Sequence, residues 1–146
     1  MRISDFFNKE EKGDITLAIK EAELNTSGEI RVHIEGKCRK EVMDRAVYIF
    51  EKLGMHKTEL RNGVLFYLAV NDHKFAILGD AGINQVVPDD FWDEIKKSML
   101  DFFSEKQFSE GLSRGIKMAG EQLKKHFPYQ KDDINELSDE ISFGKE

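Results

Sequence analysis

The chain has 146 residues, 28 acidic against 22 basic, a formal charge of -6 and one cysteine. A single domain of this size buries roughly two-thirds of the surface that its unfolded form exposes, so it needs no staples. The acidic balance argues against a nucleic-acid partner and is compatible with cations, and the lone Cys38 rules out an internal disulfide and fits a reducing compartment.

Met-Arg-Ile-Ser-Asp at the start lacks an apolar signal core, and the longest apolar run, residues 64–70, is far too short to cross a membrane. A cytoplasmic monomer without a membrane anchor is expected. Asn8 with Glu11 three residues on reads as a capping box, and Ile15, Ala18, Ile19 and Ala22 fall on one helical stripe behind it. Thr26-Ser27-Gly28 stops that helix. Glu29-Ile30-Arg31-Val32-His33-Ile34-Glu35 then alternates polar with aliphatic residues, the pattern of a half-buried strand, with Arg31 and His33 expected on a solvated or partly covered face.

Val42, Ala46, Ile49, Phe50 and Leu53 predict a second helix, ended by Gly54. Residues 64–70 carry no charge and read as a central strand buried on both faces. Asn71-Asp72-His73 turns the chain into a short outer arm, residues 74–78. Strand, helix, strand of this spacing is a parallel βαβ unit. The starts of both parallel strands, Ser27-Gly28-Glu29 and Asn62-Gly63, therefore meet the end of the outer arm, Gly79-Asp80-Ala81-Gly82, at one sheet edge.

Pro88-Asp89-Asp90 opens a third helix with Phe91, Ile95, Met99, Phe102 and Phe103 on its apolar face and Trp92 beside it. Ser109 is the expected cap of a fourth, carrying Leu112, Ile116, Ala119 and Leu123. Its Gly111, Gly115 and Gly120 predict close approach to a neighbouring element. The acidic segment 129–146 keeps Ile134, Leu137, Ile141 and Phe143 among its carboxylates, so it is expected to dock on the body as part of one domain spanning residues 1–146.

The usual catalytic signatures are missing. The four histidines are too scattered for a zinc pair, the glycines of 79–82 do not form a dinucleotide fingerprint, and there is no nucleophile elbow, phosphate loop or EF-hand. What remains is the oxygen-rich corner. Ser27-Gly28-Glu29-Ile30, Asn62-Gly63-Val64-Leu65 and Gly79-Asp80-Ala81-Gly82-Ile83, in this order along residues 8–127, resemble the successive signature segments of the TPM-domain family. That resemblance implies a three-layer α/β/α sandwich around a small mixed sheet, divalent-metal binding, typically calcium, and for plant members an acid phosphatase activity. Relatives commonly end the outer strand in a Gly-Tyr-Gly segment followed by Glu, where this chain has Gly79-Asp80-Ala81-Gly82.

Two functions fit such a corner. In the first, a non-catalytic module holds calcium, or magnesium or another hard divalent cation, and meets an unknown protein partner. Asp80 is the leading ligand because glycines flank it, Asp89 and Asp90 come next despite their aptness as helix-start residues, and Glu29 and the Asn62 carbonyl follow. The alternative is a metal-assisted acid phosphatase in which the ion polarises a phosphoryl oxygen. It ranks second because only Arg61 offers a phosphate clamp at that edge.

Overall fold

A computed structural model of the protein describes residues 2–129 and 138–144. Helix α1 (Lys9–Glu23) starts at the anticipated capping box: the Glu11 N–H donates to the Asn8 side chain at 2.8 Å, and the Asn8 N–H donates to Glu11 Oε1 at 2.9 Å. Strand β1 (Glu29–Glu35), helix α2 (Val42–Lys52) and strand β2 (Gly63–Ala69) form the βαβ unit, with β1 and β2 parallel from Glu29 opposite Gly63 to Glu35 opposite Ala69. Gly54 ends α2 at φ 72, a conformation that a side chain would strain. Strand β3 (Lys74–Gly79) returns antiparallel, with Ala69 opposite Lys74 and Val64 opposite Gly79.

The chain continues through the short helix α3 (Ala81–Asn84), which the glycine-rich pattern hides, to α4 (Phe91–Ser104) and α5 (Phe108–His126). Helix α5 begins earlier than expected. Gln107 is its N-cap and Ser109 is buried in its first turn, because the Phe108 ring is drawn in to lie 5.5 Å from the ring centres of both Phe6 and Phe103. The close approach predicted from the glycines is present: a Cβ on Gly120 would lie 2.5 Å from the Ala22 Cβ of α1, and one on Gly115 2.6 Å from the Met99 sulfur of α4.

Helices cover both faces of the sheet, giving the three-layer α/β/α sandwich with a mixed sheet that was expected. On one side Ile30, Val32, Ile34, Val64, Phe66 and Leu68 pack against α1, α4 and α5. On the other, Leu65, Tyr67, Ala69 and Ala76 lie under Ala46, Ile49 and Phe50 of α2. All seven residues of β2 are buried, as an uninterrupted apolar strand requires.

Strand β1 departs from its expected half-solvated character. His33 and Glu35 are buried and only Arg31 is intermediate, because α2 and the end of the chain cover the polar face. That end adds a fourth strand, β4 (Ser142–Phe143), parallel to β1 with Ser142 opposite His33, so the sheet order is β3-β2-β1-β4. Ile141 packs on the main core, while Phe143 stays partly exposed with the Lys12 ammonium 5.4 Å from its ring centre. Ile134 and Leu137, also expected to dock, lie outside the described residues.

Candidate functional site: an acidic cleft at the sheet edge

The parallel strands begin, and β3 ends, at the same edge of the sheet. There the Glu29 N–H donates to the Asn62 carbonyl at 3.4 Å, the Asp80 N–H to the Gly63 carbonyl at 3.0 Å, and Asn62 Nδ2 to Ser27 Oγ at 3.4 Å. Glu29, Asn62 and Asp80 are thus brought together from three segments, and all three are buried.

Their roles differ. Both Asp80 oxygens are engaged: Arg61 Nε donates to Oδ2 at 2.7 Å and Nη2 to Oδ1 at 2.8 Å, and Oδ1 also accepts the Ala81 N–H at 2.7 Å as the cap of α3. Arg61 reaches this position from the left-handed region at φ 51. A side chain at Gly82 is forbidden, since its Cβ would lie 2.1 Å from the Leu60 carbonyl oxygen, so the 60–62 loop is clamped onto the start of α3. Asp80 fixes the corner through a charge-assisted, bidentate pair. Asp89 and Asp90 stand exposed on the turn before α4, and Asp90 caps that helix without a side-chain hydrogen bond.

Beside Glu29 a cleft of about 430 Å³ opens, with Lys20, Glu23, Ser27, Tyr129 and Asp139 also in its walls. Its floor is stitched to the end of α5: Thr26 Oγ1 donates to the Leu123 carbonyl at 2.9 Å and accepts the Gly28 N–H at 3.1 Å, and the Ser27 N–H donates to the Phe127 carbonyl at 2.9 Å. Glu23 Oε2 accepts the Ile30 N–H at 2.8 Å, which ties the end of α1 to β1. Burial and a hydrogen bond with the Asp139 carboxyl push the Glu23 carboxyl up to about 9, with the Asp139 and Glu29 charges adding to the effect. A carboxyl so raised holds its proton at neutral pH.

Three carboxyl groups therefore face one cleft. They are a hard, oxygen-only donor set, the chemistry that calcium or magnesium takes. Among the described residues no three His, Cys, Asp or Glu side chains converge as a group that could hold a metal ion. Glu23 is a cleft residue that the sequence pattern does not single out. One signal for it existed, an acid in the last turn of a helix, where the helix dipole disfavours negative charge.

A second polar cluster lies under α2. Glu35 Oε1 accepts from Arg45 Nη2 at 2.9 Å and contacts His33 Nε2 at 3.4 Å, while Oε2 accepts from Arg45 Nε at 2.8 Å and from the Tyr67 hydroxyl. His33 Nδ1 meets Ser142 Oγ at 2.9 Å. A Cβ on Gly144 would lie 2.6 Å from Glu35 Oε1, so the end of the chain seals this network. It pins β4 to the sheet.

This fold and corner define a TPM domain. The chain matches that family over residues 3–122 and belongs to it. Among solved structures it is similar to the BA42 protein of the psychrophilic bacterium Bizionia argentinensis, at 50% identity and a TM-score of 0.90, covering 98% of this chain and 99% of that one. The N-terminal domain of a protein from P. gingivalis shares the fold at 16% identity and a TM-score of 0.70, over 85% of this chain and 82% of that one. So does the N-terminal domain of the cg2496 protein of Corynebacterium glutamicum, at 12% identity and a TM-score of 0.66, over 82% and 76%. No curated protein matches the chain. Among the described residues no helix is long and apolar enough to cross a membrane.

Proposed function

We propose that this TPM domain is a non-catalytic module that binds a divalent cation, calcium before magnesium, in the acidic cleft and presents the loaded edge to a protein partner. The carrying observation is that Glu23, Glu29 and Asp139, from α1, β1 and the end of the chain, line one cleft of about 430 Å³. Calcium suits such a place because six to eight oxygen ligands in flexible geometry can be gathered from loops. Glu29 is retained from the sequence-based ligand set, Asn62 supports the cleft through Ser27, and Asp80 acts by holding the corner rather than by offering a free oxygen. Asp89 and Asp90 rank last because they stand on a different turn. The buried thiol of Cys38 accords with the reducing, cytoplasmic setting that we assign.

The test is a calcium titration read by amide NMR shifts. Residues 23–30, 62–63 and 138–140 are expected to move, and the 71–73 turn at the far end of the sheet is not. Glu29→Gln and Asp139→Asn should each weaken binding about tenfold, ~1.4 kcal/mol, whereas Asp89→Asn and Asp90→Asn leave it unchanged. Uniform shifts, or none at millimolar calcium, would overturn the reading. A metal-dependent phosphomonoester turnover lost in Glu29→Gln would replace it with the phosphatase.

A further inference from the structure

A second cavity, of about 550 Å³, lies at the opposite end of the sheet, between the β2–β3 turn and the junction of α4 with α5. It falls within the size range of small-molecule sites, which are mostly apolar with a few placed polar groups. Its wall is a run of rings: Phe75 meets Phe103 edge-on at 5.2 Å, Phe103 meets Phe108 at 5.5 Å, and Phe108 meets Phe6 at 5.5 Å. All four are only partly buried, and Leu100 beside them is 53% exposed.

The charge at this cavity runs against the rest of the molecule. The chain carries 28 acidic and 22 basic residues, yet among the described residues the lining includes His73, Lys74 and Lys106 and no acid. Lys74 turns its ammonium to the Cys38 carbonyl at 3.2 Å, which leaves Lys106 as the cationic group of the rim, with the His73 ring as a further polar group there. Both hold left-handed backbone, at φ 54 and φ 60, a region uncommon for residues with a side chain. An apolar, ring-walled cavity with a lysine and a histidine on its rim is complementary to one kind of ligand, an apolar body ending in an anion.

We propose that this cavity binds an amphipathic carboxylate of the medium-chain fatty acid class, its chain against the phenylalanine wall and its carboxylate at Lys106 and His73. The site is separate from the acidic cleft and does not depend on the cation reading.

The probe is decanoate, with decanol as the uncharged control, titrated into the whole protein and followed by NMR shifts and by displacement of an anionic naphthalene dye. Decanoate is expected to saturate, to move Phe75, Leu100 and Phe103, and to bind more tightly than decanol. Lys106→Asn and His73→Asn, chosen because asparagine tolerates left-handed backbone, should reduce decanoate affinity severalfold and leave decanol unaffected. Leu100→Trp, at an exposed position that should not perturb folding, should block both ligands. Equal affinity for decanoate and decanol, no response to the rim variants, or shifts at the acidic cleft instead would each overturn the proposal.

Discussion

Arg45 holds the buried Glu35 carboxylate with two parallel hydrogen bonds, Nε to Oε2 at 2.8 Å and Nη2 to Oε1 at 2.9 Å. The guanidinium lies on the helix that crosses over from β1 to β2, and the carboxylate on the last residue of β1. One ion pair therefore fastens the crossover to its sheet. Removing one partner of a buried pair strands the other, at a cost of about 3–5 kcal/mol. Arg45→Met should cost near the lower end, because the Arg45 side chain is 28% exposed and solvent reaches part of the pair. Urea unfolding measures the loss, and a wild-type midpoint would refute the account.

The same cluster sets the acid sensitivity. Burial opposes the charged Glu35, but the Arg45 guanidinium and Tyr67 hydroxyl outweigh it and hold the carboxyl below its usual range. Its stabilisation is complete above the unfolded value of about 4.3 and is lost as pH falls through the lower folded one. Burial also lowers the His33 imidazole, against the pull of Glu35. That contribution is present above the unfolded value of about 6.5 and fades as pH falls through the folded one. These two contributions decline in turn from neutral pH downward, against the opposite trend of Glu23, whose raised folded value makes its contribution grow as pH falls toward the unfolded carboxyl value. In a Glu23→Gln background the decline should show two stages, and His33→Gln should flatten the first. Melting temperature against pH from 7 to 3 is the measurement.

Two glycines in helices should respond oppositely to alanine. On α1, nothing lies within 4 Å of the place that an alanine methyl would take at Gly13, so Gly13→Ala should stabilise by about 0.5–1 kcal/mol. At Gly120 the added Cβ would lie 2.9 Å from the Ala22 Cα, part of the backbone. Gly120→Ala should destabilise by about 1–3 kcal/mol through overpacking between α1 and α5. Thermal melts of the two variants should shift in opposite directions.

Asp80 serves the fold whether or not it serves a ligand. As the cap of α3 and the partner of Arg61, it should cost about 1 kcal/mol when replaced by Ala. Asp80→Asn keeps a capping oxygen and should lose less. Equal losses in the two variants would mean that the charge, and not the cap, carries its contribution.

Ending the chain at Pro128 removes β4, the half-buried Ile141 and Asp139 together. The loss of apolar burial and of the β1 edge pairing should cost about 2 kcal/mol, a fall of about 4–8 °C in melting temperature. Calcium affinity should fall with it. An unchanged melt would make the segment a passenger on the fold, and unchanged binding would remove Asp139 from the cleft's chemistry.

The capping box at Asn8, the apolar stripe of α1, the uninterrupted run of β2 and the hairpin turn after it were legible in the sequence because each is a local pattern. Backbone hydrogen-bond needs and side-chain periodicity settle them within a few residues. The topology followed from spacing, and with it the meeting of Glu29, Asn62 and Asp80 at one edge. Which carboxylates face solvent, a cleft or an arginine was decided only in three dimensions. Asp80 is committed by Arg61, which adopts a left-handed backbone conformation that no periodicity announces. Glu23 becomes a cleft residue because Asp139, from the far end of the chain, folds back beside it. His33 and Glu35 alternate as a solvated strand face would, yet α2 and β4 cover them. Burial and charge pairing depend on which distant segments meet, and the energy of a carboxylate changes by several kcal/mol with its surroundings. The sequence alone thus determined the elements and their order, and tertiary packing decided the chemistry of the charged groups.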